Sequence, residues 1–318
     1  DQEVAWEQFV LPGYQAVEAA NTKATSTLSV RQSDGKIRVA GKDFQIVVDM
    51  ASGMIQSYRL VDGPQLFAAL HPDFWRPPTD NDFGAKLPTK LKEWKAAFAE
   101  ASSPVVNTTE KQGKEVEIAM LWKLLNGDAI LLGTYTIGAD GSVKVKMELD
   151  AVVGNHPMLP RFGMNLTMAP QFDQAEWYGK GPYESYWDRK YGARLGRFQS
   201  AVSDLFFPYI RPQETGNHAD VRWFRITDEA GRGIEVQAPA PFNFSALNFL
   251  DEDLDPGEEK AQRHAAELKP RHLTSVDIDL QQMGLGCIDS WGALPLPPYR
   301  LPFQDYTFEF SIRPLDGK

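Results

Sequence analysis

Repeated alternation of apolar and polar residues is the feature that most constrains the fold of this 318-residue chain. Its clearest case is Val143-Lys144-Val145-Lys146-Met147-Glu148-Leu149, where an apolar residue recurs at every second position. Successive side chains of a β-strand point to opposite faces, so this period predicts a strand with one buried and one wet face. Comparable patterns occur at residues 36–40, 44–48, 54–58, 115–123, 130–137, 162–168, 233–236, 273–280 and 306–312. Turn-separated strands of this kind predict an all-β antiparallel sandwich.

Helical periodicity is scarce. Residues 88–98 place Leu91, Trp94 and Phe98 on one helical face, and Pro88 is well suited to a first helical turn. We therefore predict one short helix in this segment.

Composition and charge exclude several classes of partner. The chain has 33 basic and 43 acidic residues and a net charge of −10, so it lacks the clustered cations that nucleic-acid binding requires. Its longest apolar runs are far shorter than the ~20 residues of a membrane helix, so we expect no membrane partner. A single cysteine, Cys287, excludes an intrachain disulfide and a thiolate metal cluster, but it leaves the cellular compartment unknown.

The irregular segment Asp-Phe-Trp-Arg-Pro-Pro-Thr-Asp-Asn-Asp-Phe-Gly at residues 73–84 interrupts the strand pattern. Its prolines oppose ladder hydrogen bonds, and Gly84 permits a positive φ at the exit. Two interpretations are open: a rigid surface turn with Trp75 packed as a lid on the core, or a loop that serves a binding site. The candidate site residues in it are Trp75, Arg76, Asp80, Asn81, Asp82 and Gly84.

Three further irregular motifs follow along the chain. They are Trp-Tyr-Gly-Lys-Gly-Pro-Tyr-Glu-Ser-Tyr-Trp-Asp-Arg at 177–189, Pro-Tyr-Ile-Arg-Pro-Gln-Glu-Thr-Gly at 208–216, and Gln-Met-Gly-Leu-Gly-Cys-Ile-Asp-Ser-Trp at 282–291. With the segment at 73–84, their order and spacing strongly resemble the C-terminal, small-chain domain (domain 5) of β-galactosidases of glycoside hydrolase family 2. The resemblance covers residues 35 to 316 approximately, and it departs from the family at Cys287, where glycine is common.

The resemblance implies a galactose mutarotase-like super-sandwich over residues 36–318. It also implies that residues 1–13 are the last strand of a preceding immunoglobulin-like domain. Residues 14–35 then form a linker, or alternatively an ordinary edge strand and loop. No signal peptide is readable at Asp1-Gln2-Glu3, and we expect that Asp1 is not the natural start.

The resemblance further implies a part of a retaining β-galactosidase, which hydrolyses terminal β-D-galactosides such as lactose. Retaining hydrolysis needs two carboxyl groups about 5 to 5.5 Å apart, and in the family both belong to a barrel domain whose strand–helix alternation is absent from this sequence. We therefore assign no catalytic residue here and expect the 318 residues alone to be inactive. The family also implies Mg²⁺ and possibly Na⁺ in the full-length enzyme, with no cofactor or metal bound by this part, and a homo-oligomer.

Trp291 is the best candidate for contact with substrate. Sugar sites combine an aromatic platform with a few directed polar groups, and Trp291 follows a glycine-rich stretch too irregular for a core strand. In the family the matching tryptophan projects into the active site of the barrel. We predict that Trp291, Asp289 and Ser290 bind substrate and that the segment from Trp75 to Gly84 forms a wall of the same cleft.

Two other functions are kept as alternatives. The super-sandwich is also the architecture of aldose 1-epimerases, in which a histidine and a glutamate transfer protons, so His218 and Glu214 form an alternative epimerase site. His218 can equally be an ordinary surface histidine. A free-standing carbohydrate-binding module is the other alternative, and it predicts measurable galactose affinity by the isolated chain.

Overall fold

A computed structural model describes residues 5–9, 27–286, 289 and 291–317. Its strands and helices are β1 (Ser29–Ser33), β2 (Lys36–Ala40), β3 (Phe44–Asp49), β4 (Ile55–Leu60), β5 (Gln65–Asp73), α1 (Asp80–Gly84), α2 (Leu87–Lys90), α3 (Lys92–Ala96), β6 (Val105–Lys111), β7 (Glu115–Leu124), β8 (Ala129–Gly138), β9 (Val143–Ala151), β10 (Arg161–Met168), β11 (Gln174–Gly181), β12 (Arg194–Ala201), β13 (His218–Thr227), β14 (Arg232–Leu247), α4 (Asp251–Leu254), β15 (Thr274–Gln282) and β16 (Tyr306–Asp316).

The strands form one antiparallel sheet that curls around a common apolar core. The order along it is β1-β2-β3-β4-β5-β10-β15-β14-β16-β9-β8-β7-β6, and β13, β11 and β12 branch from β14. In β9 the predicted alternation is present, since Val143, Val145, Met147 and Leu149 are buried while Lys144 is exposed. The prediction of an all-β antiparallel fold is confirmed.

Every segment predicted as a strand within residues 36–318 overlaps a strand of the structure, but six strands of the described residues were missed. Three of them, β5, β11 and β13, run into or out of the irregular motifs, whose glycines and aromatics hide the strand period. Two others, β1 and β6, lie at the two ends of the sheet path and are largely exposed, so they carry no apolar alternation. The last, β12, is likewise half exposed and rich in polar residues.

The helix prediction was wrong in number and extent. The described residues contain four short α-helices, and the segment predicted as one helix is divided into α2 and α3. Leu91 separates the two with φ −106° and ψ 4°, which breaks the helical backbone, although Leu91 and Trp94 are buried as predicted. The predicted positive φ at Gly84 is also absent, because Gly84 ends α1 and the left-handed residue is Lys86, with φ 58°.

The N-terminal boundary differs from the prediction. Strand β1 lies inside the predicted linker at 14–35 and pairs with β2 along its whole length, so the sheet begins at Ser29 or earlier. Residues 5–9 form no strand, but the Gln8 side chain exchanges two hydrogen bonds of 2.7 Å with the backbone of Leu195 in β12. The remainder of the predicted linker, 14–26, lies outside the described residues. Membership of 1–13 in a preceding domain stays a prediction.

The centre of the sheet determines where the irregular motifs meet. Strands β5, β10 and β15 are neighbours, with Asp73 paired near Gly163 and Arg161 paired with Gln282. Because the pairing is antiparallel, the end of β5, the start of β10 and the end of β15 lie at the same end of the sheet. The motifs at 73–84 and 282–291 therefore leave the sheet side by side. Within the described residues, no helix has the length and apolar character needed to cross a membrane.

Candidate functional site

The segment that follows β15, residues 283–293, presents Trp291 at the surface, and we name it the Trp291 loop. Trp291 is 83% exposed, the largest apolar side chain so displayed among the described residues. The Asp289 carboxylate accepts hydrogen bonds from the backbone N–H groups of Trp291, at 3.0 Å, and Ala293, at 3.2 Å. A carboxylate that bonds to its own backbone two residues on stabilises a tight turn. Asp289 therefore shapes the turn that holds the indole outward.

Ser290, predicted to bind substrate, and Cys287, where the motif departs from the family, lie outside the described residues. The predicted role of Ser290 stays a prediction.

The first half of the Trp291 loop is held from several sides. Met283 N–H donates to Pro160 O and Gly284 N–H to Tyr299 O, each at 2.8 Å. The Asn81 side-chain amide donates to Leu285 O at 3.1 Å, and Gly286 N–H donates to the Asp188 carboxylate at 2.6 Å. Contacts from four separate chain segments thus hold the chain before Trp291.

Half of the predicted cleft wall is buried. Trp75 is 8% exposed, and its indole N–H donates to Asp255 at 2.8 Å, which is the lid arrangement left open by the sequence. Arg76 is also buried and pairs with Asp82 at 3.0 Å. Asp82 in turn closes a capping box with Thr79 at the start of α1. These residues support the wall from behind and do not face solvent.

The other half of the predicted wall lies at the surface beside the Trp291 loop. Asp80 pairs with Arg211 and Lys260, each at 3.1 Å, and so connects α1 to the motif at 208–216. The carbonyl oxygen of Gly84 lies 3.6 Å from the position that a Cβ would take on Gly292. Together with the Asn81 bond to Leu285, this contact brings the motifs at 73–84 and 282–291 together as predicted.

The motif at 177–189 divides into two parts with different partners. Glu184 and Arg189 form an ion pair at 2.6 Å, and Glu184 also accepts from Gly216 N–H at 2.8 Å. Asp188 contacts the Trp291 loop. The preceding residue, Trp187, packs its ring edge-on against Tyr299 beside that loop.

A buried cluster of carboxylates lies beneath the site around Arg161, the first residue of β10. Arg161 is 1% exposed, and its guanidinium nitrogens lie 2.8 Å from Asp73, 2.9 Å from Asp277, 3.4 Å from Glu214, 3.4 Å from Asp279 and 3.8 Å from Asp251. Burial opposes the charge of Arg161, yet the surrounding carboxylates, Asp277 foremost, hold its pKa well above the usual value. Burial raises the pKa of Glu214 to about 7, because it outweighs the opposing effect of the Arg161 charge. Burial likewise raises the pKa of Asp279 well above its usual range.

The alternative epimerase pair is not assembled as one site. Glu214 is 3% exposed and contacts Arg161, Tyr186 and Gln282. His218 is 1% exposed, and its Nδ1 lies within hydrogen-bond distance of Gly216 O, at 3.0 Å. It borders a cavity of about 410 Å³, and Glu214 is not among the described residues that line this cavity. The expectation of a surface histidine is wrong, because His218 is packed between aromatic rings.

Two residues at this site were missed from the sequence, Arg161 and Asp188. Arg161 stands alone as a charge in the apolar run from Met158 to Met164, and a lone charge in a buried strand signals a paired ion. Asp188 gave no such signal, because its partner is a backbone N–H 98 residues away. Among the described residues, no group of three or more His, Cys, Asp or Glu side chains has a geometry that could hold a metal ion.

Fold and site together define an all-β domain in which the motifs at 73–84 and 177–189 contact a surface loop that displays a tryptophan. The family model described as "Beta galactosidase small chain" matches residues 40–312, and the chain belongs to this family. The predicted family is thereby confirmed.

Curated relatives agree with this assignment. A protein named beta-galactosidase from Priestia megaterium is 37% identical over 314 residues, which cover 98% of this chain and 30% of that protein. One of the same name from Halalkalibacterium halodurans is 33% identical over 294 residues, or 91% of this chain and 28% of that protein. The chain thus spans about 30% of the length of these relatives and corresponds to one part of a longer enzyme.

Solved structures with a similar fold include the galactose 1-epimerase of Lactobacillus acidophilus NCFM. It is 8% identical with a TM-score of 0.46, over 93% of this chain and all of that one. A galactose mutarotase related enzyme from Lactobacillus acidophilus also gives 8% identity and a TM-score of 0.46, over 89% of this chain and 98% of that one. At these TM-scores, the likeness carries no inference about the activity of this chain.

Proposed function

We propose that this domain completes the active-site cleft of a retaining β-galactosidase that hydrolyses terminal β-D-galactosides such as lactose. The two catalytic glutamates belong to the barrel domain in the rest of the chain, so the 318 residues alone are inactive. The observation that carries the proposal is the display of Trp291, 83% exposed, on a loop whose first half is held by the other motifs.

The chemistry of a sugar explains why such a display is useful. A pyranose has an apolar face of C–H groups, and an aromatic ring laid against that face removes both from water. An exposed indole on a mobile loop would lose much of this gain to the entropy of ordering it. Because Asp289 and the anchors on Leu285 and Gly286 order the loop in advance, Trp291 meets the substrate with little further cost.

The polar rim of the proposed cleft comes from the exposed part of the wall. Asp80 and Asn81 lie on α1 next to the Trp291 loop, and the Gly84 carbonyl oxygen lies 3.6 Å from the position that a Cβ would take on Gly292. We propose that these residues line the side of the cleft, while Ser290 and Asp289 flank the indole. The Mg²⁺ and Na⁺ ions expected for the full-length enzyme are, in this proposal, bound by the barrel, and copies of the full chain associate as a homo-oligomer.

Replacing Trp291 by alanine in the full-length enzyme tests the proposal. We expect kcat/KM for a β-galactoside to fall about tenfold, because aromatic stacking contributes roughly 0.5–1.5 kcal/mol beyond the area buried. The melting temperature should change little, since the side chain is 83% exposed and leaves no cavity. Steady-state kinetics and thermal unfolding of the same preparations give the two quantities.

Two further variants serve as controls for this experiment. Trp291→Phe keeps an aromatic face and should recover part of the lost kcat/KM. Tyr191→Ala removes an aromatic side chain that is 80% exposed on a different loop, and it should leave the kinetics unchanged. A large loss of stability with unchanged kinetics in Trp291→Ala would contradict the proposal.

The isolated chain separates the proposal from the two alternatives. A half-site should bind galactose negligibly in calorimetry and should not accelerate its mutarotation in polarimetry. Measurable affinity would support a free-standing carbohydrate-binding module. Acceleration that His218→Ala abolishes would support an epimerase.

A further inference from the structure

The peptide between Leu285 and Gly286 is bonded at both of its polar ends. Its carbonyl oxygen accepts from the Asn81 amide at 3.1 Å, and its N–H donates to the Asp188 carboxylate at 2.6 Å. The C=O and N–H groups lie in one peptide plane and point in opposite directions, so the two bonds restrict the rotation of that plane as well as its position. We name this arrangement the peptide clamp.

The two side chains of the clamp come from rigid parts of the molecule. Asn81 lies in α1, which begins with a capping box and is tied to Gln213 through Asp80 N–H at 3.1 Å. Asp188 follows Trp187, whose ring packs edge-on against Tyr299 with 5.5 Å between centroids. Asn81 is 204 residues from Leu285 in sequence, and Asp188 is 98 residues from Gly286, so the contacts exist only through the tertiary fold.

Close approach of Asp188 depends on the glycines of the loop. A Cβ on Gly284 would lie 2.6 Å from Asp188 Oδ2 and 3.0 Å from Tyr299 Cβ, and one on Gly286 would lie 2.8 Å from the same carboxylate oxygen. Distances below about 3 Å cannot be accommodated without a shift of the carboxylate or the loop. The glycine spacing of the motif is therefore explained by the space that the Asp188 carboxylate occupies.

The bond to Asp188 is the stronger half of the clamp. A hydrogen bond from a backbone N–H to a carboxylate is charge-assisted and roughly twice as strong as a neutral one. Asp188 Oδ1 is buried and has no hydrogen-bond partner in the described part of the chain, so Gly286 N–H is the group that satisfies this side chain there. No ion pair offers Asp188 an alternative position among the described residues.

We propose that Asn81 and Asp188 are positioning residues that set the place of Trp291 through the peptide clamp, and thereby control substrate binding at a distance. This inference rests on the proposed function, because it requires that Trp291 contacts the substrate. Gly286 is three positions before Asp289, whose carboxylate bonds to the described turn, so the position of the Leu285–Gly286 peptide limits where the chain can enter that turn and display the indole.

A double-mutant cycle in the full-length enzyme tests the inference. Asp188→Ala is expected to lower kcat/KM for a β-galactoside by about three- to tenfold, mainly through KM, and never by more than Trp291→Ala does. In the Trp291→Ala background, adding Asp188→Ala should cause no further loss, because residues that act through one another are not additive. Asn81→Ala, which removes the other end of the clamp, should behave in the same way.

Matched variants separate positioning from general destabilisation. Asp188→Asn keeps an acceptor for Gly286 N–H and should recover part of the activity that Asp188→Ala loses. Asp140→Ala removes a carboxylate that accepts from the backbone N–H of Ser142 at 3.0 Å in another turn, and it should leave KM unchanged. If Asp188→Ala does not fold, the Asn81→Ala arm and the partial effect of Asp188→Asn carry the same test.

Each result has a distinct meaning. Unchanged kinetics in Trp291→Ala would overturn the proposed function itself. A loss in Trp291→Ala with unchanged kinetics in Asp188→Ala and Asn81→Ala would overturn the clamp but keep the function. Losses that add fully in the double mutants would also overturn it, since they would place Asp188 and Asn81 on a route independent of Trp291.

Discussion

Replacing Arg161 by methionine is expected to remove a large part of the stability of the chain at neutral pH. Breaking a buried ion pair by removing one partner costs about 3–5 kcal/mol. The Arg161 side chain is 1% exposed, and five carboxylates lie within 4 Å of it. A whole domain is stable by only about 5–15 kcal/mol. Urea unfolding followed by circular dichroism, compared with the unsubstituted chain, measures the loss.

A second arginine gives the matched control for this prediction. Arg225 also pairs with two carboxylates, Glu235 at 2.7 Å and Glu176 at 3.2 Å, but its side chain is 34% exposed. Arg225→Met should therefore cost no more than about 1 kcal/mol. Asp279→Asn added to Arg161→Met should recover part of the stability, because it removes one of the unpaired buried charges. Equal losses for the two arginine variants would contradict the assignment of Arg161 as the central counter-ion.

His218 is expected to make the chain less stable in mild acid. Burial lowers the pKa of His218 to about 4 from a usual value near 6.5, so between these values the unfolded chain binds a proton that the folded chain does not. Stability from this group is complete above about pH 6.5 and is lost as the pH falls towards 4. The loss on going from about pH 7.5 to about pH 5 is roughly 2 kcal/mol.

His218→Phe isolates this contribution. The ring lies 4.4 Å from Trp177 and 5.2 Å from Phe244 between centroids, so a phenyl group suits the site, although the bond to Gly216 is lost. The loss of this bond lowers the stability of the variant equally at every pH. The acid-dependent loss should be absent from the variant. The unfolding free energy of the unsubstituted chain minus that of the variant should therefore fall by about 2 kcal/mol from about pH 7.5 to 5. A constant difference for His218→Phe would contradict the prediction.

The fold was predictable from the sequence wherever a strand has one buried and one wet face. Strand β9 is the clearest example, because each of its residues signals its face by polarity alone. Strand β11 was missed since its buried face carries Trp177 and two glycines within a motif that resembles a loop. The division of the predicted helix at Leu91 depends on packing that the 3.6-residue period does not contain.

The candidate site was predictable only in part, for a related reason. Local sequence identified the Trp291 loop and the segment at 73–84 as irregular and glycine-rich, and the structure brings them into contact. It did not reveal that Trp75 turns inward, because the group that binds its indole, Asp255, is 180 residues away. The partner of Asp188 is equally remote. Contacts between distant segments decide which of several similar aromatics and acids face solvent.

The bonds between Gln8 and Leu195 have a practical consequence for shortened forms of the protein. Strand β12 ends a branch of the sheet, and an open strand edge is a template on which another chain can add a strand. The strands at the two ends of the main path are largely exposed and include charged residues such as Arg31 and Lys111, which disfavour such addition. At β12 the amide of Gln8 occupies one of the pairing positions. Trimming the first nine residues would therefore uncover an aggregation-prone edge at β12.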